Sequence, residues 1–236
     1  VPRNEKFTLL AADYSQIELR IIAELSGDEG MITAFKEGID IHTATASKVY
    51  GVALDEVTSD QRRNAKTVNF GIVYGISAFG LSERLNIPRG EAKEIIDQYF
   101  EKYPGVKRYM KETVDFAREN GFVKTMMGRR RYLRDINSKN AVVRGFAERN
   151  AINAPIQGSS ADMIKIAMIS IYEAMQKEKL QSKMILQVHD ELIFDTLKEE
   201  VETLKPLIEK HMVQAIPMKV PVVVEMNTGE NWLVAH

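Results

Sequence analysis

The sequence predicts an α+β fold, a small antiparallel sheet packed on helices together with a mostly helical part. Three observations predict it. Strand-like runs are few and scattered, at Phe7 to Ala12, around His189-Asp190-Glu191, around Met127-Gly128 and from Val220 to Met226. Apolar residues at three- and four-residue spacing fill most of the remaining chain, the mark of amphipathic helices. The order of elements mixes strands with runs of helices instead of repeating strand and helix, and no internal repeat is visible.

Each element has its own warrant. Phe7 to Ala12 reads as a short buried strand, and Asp13-Tyr14-Ser15 hands over to a helix with Ile17, Ile21, Ile22 and Leu25 on one face. Gly27 and Gly30 break that helix; pieces from Met31 to Lys36 and from Ile41 to Tyr50 follow, the latter ended by Gly51. Thr58-Ser59-Asp60-Gln61 is a capping box that starts a helix running to about Tyr74. Pro88 opens a helix with Ala92, Ile95, Ile96, Tyr99, Phe100 and Tyr103 on one face; Pro104 stops it, and a partner runs from Val106 to Glu119. Phe122 to Leu133 resembles a hairpin whose return strand is Arg129 to Tyr132. A helix from Asn140 to Asn153 is expected to stop before Pro155, and one from Ile156 to Met175, apolar on more than one side, to lie buried under the sheet. Met184, Leu186 and Val188, then Leu192 and Phe194, alternate with their neighbours, so two strands flank an acidic tip. Val201, Leu204, Ile208, Met212 and Ala215 mark a helix in which Pro206 predicts a kink or break.

Composition bounds the function. With 236 residues and 44% hydrophobic content the chain can bury the core of one large domain or two intimate subdomains. Cysteine is absent, which excludes disulfides and thiolate metal sites. Nothing resembles a signal peptide or a bilayer-spanning run, so a cytoplasmic protein without a membrane partner is expected. The net charge of -1 argues against a globally basic nucleic-acid binder, yet Arg129 to Arg149 holds six Arg and Lys139 against Asp135 and Glu148, a local charge of +5. The opening Val1-Pro2-Arg3, without Met, reads as a piece of something longer.

Three constellations carry chemistry. Asp13 at a strand end and Asp190 at a hairpin tip can meet if their strands share a sheet; two carboxylates suit magnesium, which prefers oxygen ligands. Glu191 is a third candidate. Helix N-capping for Asp13 and turn polarity for Asp190 are the ordinary alternatives. On the capped helix Arg62, Lys66, Phe70 and Tyr74 recur every four residues and advance about 40° per step, a track on which cations grip phosphates and rings cover base and sugar. A solvated face grading into core gives the same pattern, but Gly71 and Gly75 are costly in a helix unless something approaches closely. Arg149, Asn153 and Gln157, again at four-residue steps, are donors that suit the minor-groove acceptors present in every sequence, with caps and loop contacts as the alternative.

Three stretches carry a resemblance. Asp13-Tyr14-Ser15-Gln16-Ile17-Glu18-Leu19-Arg20, the run from Arg62 to Gly75 (Arg-Arg-Asn-Ala-Lys-Thr-Val-Asn-Phe-Gly-Ile-Val-Tyr-Gly) and Gln187-Val188-His189-Asp190-Glu191 resemble, in order, the polymerase motifs of family A DNA polymerases. The likeness runs through the Gly229-Glu230-Asn231-Trp232 ending. It implies template-directed DNA synthesis by a two-metal mechanism, with a palm at 1–26 and 145–236 and fingers at 27–144. Asp13 and Asp190 would hold two magnesium ions with help from the Tyr14 carbonyl, and Glu191 would support them. Arg62 and Lys66 would hold the triphosphate, Lys66 giving a proton to pyrophosphate. Phe70 and Tyr74 would flank sugar and base, Gln16 and His42 would complete the nucleotide site, and Glu18 would gate against a ribose hydroxyl. Phe70, where some members have Tyr, implies discrimination against dideoxynucleotides. Arg149, Asn153, Gln157 and His189 would face the minor groove of primer-template DNA. Arg129, Arg130 and Arg131 would contact the template side, although Arg134 stands where Pro is expected. Partners are therefore primer-template DNA and deoxynucleoside triphosphates, with a monomer near the nucleoid of a bacterial cell. Only twelve residues precede Asp13, where the family carries a thumb and more of the palm; the alternative is a module that binds nucleotide, metal and DNA without efficient turnover.

Overall fold

The computed structural model describes residues 1–236 and divides into two compact units, one of Val1–Ile17, Ser160–Met218 and Val222–His236, the other of Glu18–Ser159 and Lys219–Pro221. The α+β class holds.

The first unit is built on a four-stranded antiparallel sheet of β1 (Phe7–Tyr14), β4 (Lys183–Val188), β5 (Glu191–Leu197) and β6 (Val224–Gly229), in the order β4-β5-β1-β6. Central strands are covered on both faces, and the sequence meets that demand with near-continuous apolar runs. Leu9, Leu10, Ala11 and Ala12 of β1 and Leu192, Ile193 and Phe194 of β5 are all buried. Leu9, Ala11 and Ile193 form one small core with Ala235 of α10 (Trp232–Ala235). The helix α9 (Val201–Val213) buries Leu204, Ile208 and Met212. Tyr14 is anchored by its hydroxyl, which donates to the Met212 carbonyl at 2.8 Å.

Five expectations change here. β4 is an exposed edge strand with a register shift between Met184 and Leu186, so the bulge turns Leu186 outward despite its place in the alternation. The last strand begins at Val224, not Val220. Pro206 lies inside α9, which runs past it without a break. Likewise Pro155 interrupts nothing: a single helix, α8 (Ala141–Lys177), runs through it, and the Pro155 carbonyl accepts the Ser159 hydroxyl at 2.6 Å. Past Ser159 this helix buries Met163, Ile164, Ala167, Ile171 and Met175 but exposes Ile169 and Tyr172, so it is one-sided and not enclosed.

The second unit is helical: α1 (Ile17–Ser26), α2 (Glu29–Lys36), α3 (Ile41–Tyr50), α4 (Ser59–Val73), α5 (Ala78–Leu85), α6 (Arg89–Lys102), α7 (Pro104–Asn120), the first part of α8, and the hairpin of β2 (Phe122–Lys124) with β3 (Arg130–Tyr132). The capping box that starts α4 is present in full, Thr58 Oγ1 accepting from the Gln61 amide and Gln61 Oε1 from the Thr58 amide. Ala117, Val123, Leu133, Ile136, Ala147 and Ala151 form a core around the hairpin. No helix of the chain is long and apolar enough to cross a membrane.

Two helix N-termini in this unit share one acid. The buried Asp28 accepts from the Gly30 and Met31 amides at the start of α2 and from the Gly105 amide at the start of α7, at 3.1, 3.2 and 2.9 Å. An anion there meets the positive ends of both helix dipoles. Gly105 is required for the approach, since a Cβ would lie 2.9 Å from the Asp28 Cα. Asp28→Ala should cost about 2–4 kcal/mol, the sum of a lost cap and a stranded buried amide. Urea unfolding measures it, and an unchanged midpoint would refute the shared cap.

Candidate active site

In the first unit the acidic residues are gathered by strand register. Asp13, near the end of β1, stands opposite Glu191 on β5 and Glu225 on β6, and residues directly opposite in an antiparallel pair share a face. The β4-β5 turn adds Asp190, whose carbonyl accepts the Tyr14 amide at 3.3 Å. Burial and then the charges of Asp190, Glu191 and Glu225, opposed only by His236, raise the Asp13 carboxyl to about 6. The turn is tight because His189 takes a positive φ of 53°, one of the few side chains that enters that region readily. The His189 side chain is exposed and Gln16 is half-buried.

Glu191 differs from its neighbours. It is 4% exposed, and its two oxygens face Trp232 Nε1 at 3.1 Å and His236 Nδ1 at 3.2 Å. The C-terminal α10 thus holds this acid, while Asp13 and Asp190 have no cationic partner of that kind. No three His, Asp or Glu side chains form a ready metal cage. Magnesium does not need one, since it takes one or two carboxylates and fills its shell with water and substrate phosphates. Half-buried oxygen donors with unbalanced negative charge fit that cation.

In the second unit the stripe on α4 is as the spacing predicts. Arg62 and Lys66 are exposed, Phe70 is half-buried and Tyr74 exposed. Arg62 is gripped by Asp40, Nε to Oδ2 at 2.9 Å and Nη2 to Oδ1 at 3.0 Å, and the same carboxylate caps α3 through the Thr43 amide and hydroxyl. Burial pushes Asp40 up, but the hydrogen bonds from Arg62 and Thr43 outweigh it and hold the acid at about 2. Tyr74 donates its hydroxyl to Glu18 at 2.7 Å, joining two residues assigned to the nucleotide. His42 is buried, with its ring centroid 5.8 Å from that of Phe70.

The glycines explain themselves. A Cβ at Gly71 would meet Ile76 at 2.9 Å, and Gly75, at φ 68°, lies under the Arg149 stem, where a Cβ would meet Cγ at 2.8 Å. Gly71, Tyr74, Gly75, Arg84 and Arg149 line a cleft of about 410 Å³. Along α8, Arg149 and Gln157 are exposed and Asn153 keeps a buried Oδ1 without a hydrogen-bond partner. Arg129, Arg130 and Arg131 are exposed; Arg129 reaches the Gly158 carbonyl at 3.0 Å and Arg130 stacks on Phe122 at 4.6 Å.

Sequence reasoning missed Glu225, Trp232, His236 and Asp40. Asp40 carried a signal, an acid directly before the helix from Ile41.

The chain belongs to DNA polymerase family A, which it matches over residues 1–234. DNA polymerase I of Lactococcus lactis subsp. lactis (strain IL1403) is 55% identical over 225 residues, covering 95% of this chain and 26% of that protein. DNA polymerase I of Bacillus subtilis (strain 168) is 51% identical over 232 residues, 98% of this chain and 26% of that protein. A solved structure, the POL domain of Pol1 from M. smegmatis in complex with DNA primer-template and dNTP, matches with a TM-score of 0.96 at 46% identity over 99% of this chain and 41% of that one. The chain spans about a quarter of the length of the curated relatives it matches.

The Asp40–Arg62 pair predicts a pH signature. Asp40→Asn keeps a capping oxygen but loses the charge, and should cost about 0.5–1 kcal/mol at pH 6, both groups being part-exposed. Because the folded pKa lies below the usual one, the contribution is full above about pH 4 and fades as pH falls toward 2. Urea unfolding of both proteins at pH 6 and pH 3 should show the gap narrowing; a gap that widens in acid would contradict the pairing.

Proposed function

We propose that this chain carries the nucleotidyl-transfer centre of a template-directed DNA polymerase, with residues 1–26 and 145–236 as palm and 27–144 as fingers. The primer-terminal hydroxyl oxygen bonds to the α-phosphorus of a deoxynucleoside triphosphate, the bond to pyrophosphate breaks, and the hydroxyl proton is released. The observation that supports this most is the crowding of Asp13 by Asp190, Glu191 and Glu225, negative charge left unbalanced where a cation is needed. Asp13, Asp190 and the Tyr14 carbonyl would hold two magnesium ions, which when bound lower the pKa of the attacking hydroxyl and offset charge on the phosphates.

The chain's own residues do the rest. Arg62 and Lys66 bind the triphosphate, so an incoming nucleotide competes with Asp40 for Arg62, and Lys66 protonates the leaving pyrophosphate. Phe70 and Tyr74 cover sugar and base, with Gln16 and His42 completing the nucleotide site. Glu18, its carboxylate fixed by the Tyr74 hydroxyl, fills the space of a ribose 2′-hydroxyl. Arg149, Asn153, Gln157 and His189 address the minor groove of primer-template DNA. Arg129, Arg130 and Arg131 neutralise template phosphates. A monomer working in the cytoplasm, near the nucleoid, accords with this role.

Primer extension by the purified chain with magnesium and four deoxynucleotides tests the reading. Asp13→Ala and Asp190→Ala should each lower incorporation at least about a hundredfold. Activity surviving both would refute the site, and nucleotide binding without extension by the unaltered chain would favour a binding module. In the same assay Glu18→Ala should relax the preference for deoxynucleotides over ribonucleotides by about tenfold or more; an unchanged preference would remove Glu18 from the gate.

A further inference from the structure

Asn69 sits one residue before Phe70 on α4 and is fully buried between that helix and α3. A buried amide must find partners for both its ends. Its Oδ1 accepts the Thr45 hydroxyl at 3.0 Å. Thr45 has spent its only proton there, so Tyr103, whose hydroxyl lies 3.2 Å from Thr45 Oγ1, is the donor to it. With Oδ1 turned to Thr45, the amide Nδ2 lies 3.0 Å from His42 Nδ1.

Nδ2 carries only hydrogens, so His42 Nδ1 must be an acceptor and bear none. A neutral imidazole with a bare Nδ1 carries its proton on Nε2. Protonating both nitrogens would set two donors against each other. The surroundings agree: burial first, with Arg62 and Lys66 adding to it and Asp40 opposing, holds His42 down at about 4. We propose that Asn69, braced by Thr45 and Tyr103, is a positioning residue that fixes His42 as a neutral Nε2–H donor. Resting on the reading in which Arg62 and Lys66 hold a triphosphate, the acceptor of that donor is a phosphate oxygen. The opposite tautomer would present a lone pair to the phosphate and repel it. His42 therefore adds a hydrogen bond to the two cations without adding a third charge.

The chain has four histidines, so side-chain ¹⁵N–¹H correlation spectra of histidine-labelled protein resolve His42 once a His42→Gln sample identifies its signals. The expected spectrum has an unprotonated Nδ1 and a protonated Nε2 from pH 5 to pH 8. An Nδ1–H tautomer or an imidazolium in that range would overturn the proposal in the unaltered chain, independent of any variant. Asn69→Asp, which replaces the donor with an acceptor, should move the proton to Nδ1, and should raise KM for deoxynucleotides about tenfold with kcat nearly unchanged. A tautomer that ignores this change would also overturn it. Should Asn69→Asp fail to fold, Thr45→Val removes the hydroxyl that orients the amide and should yield a mixture of tautomers, with a single unaltered tautomer counting against the brace. Adding a non-hydrolysable deoxynucleoside triphosphate with magnesium should shift the Nε2–H signal. The correct tautomer without that shift would overturn the phosphate contact alone, separating the two readings.

Discussion

The first unit depends on β1 lying between β5 and β6. A central strand has two neighbours in register, and here both place a carboxylate opposite Asp13. Like charges directly across a ladder destabilise it, so the arrangement persists only because other interactions hold the strands together. They are identifiable: Leu10 and Phe194 are fully buried, each contributing roughly 1.5–3 kcal/mol of apolar burial, and Tyr14 anchors β1 through the Met212 carbonyl. Glu191 is drawn aside by Trp232 and His236. What remains is an acidic cluster on a rigid platform in which burial and like charge raise the Asp13 carboxyl, the feature on which the proposed cation site rests.

The second unit solves a complementary problem, presenting cations and rings on one helix without letting them wander. α3 acts as the rail for α4. Asp40 caps α3 and holds Arg62 through two parallel hydrogen bonds, the geometry that orients a guanidinium best. Two residues later His42 meets Asn69, and one turn further Thr45 meets the same amide. Buried networks of this kind rigidify as their members find partners, and the Tyr103 hydroxyl reaches Thr45 at 3.2 Å.

Much of this was legible in the sequence, for reasons that also explain the failures. The capping box, the helix end at Gly51 and the acidic hairpin are local chemistry, decided within a few residues, and they appear as read. The four-residue stripe on α4 follows from helix geometry alone. Pro155 misled because a helix stop expected of an isolated helix is overridden where the turns on either side are buried. Leu186 misled because a bulge resets strict alternation, and nothing local announces it. The roles of Glu225, Trp232 and His236 were invisible for a different cause: each depends on which strand lies beside β1, a long-range fact that no window of sequence contains.

The central claim is that the acids around Asp13 are assembled at a cost in stability for the sake of a cation. Urea unfolding of the unaltered chain and of Asp13→Asn at pH 7.5, with and without magnesium, measures this directly. Without metal the variant should be the more stable by on the order of 1–2 kcal/mol, since it removes an ionised carboxylate whose folded pKa is raised, discounted for partial exposure. Millimolar magnesium should stabilise the unaltered chain and narrow that gap. A variant less stable than the unaltered chain, or a gap indifferent to magnesium, would contradict the account.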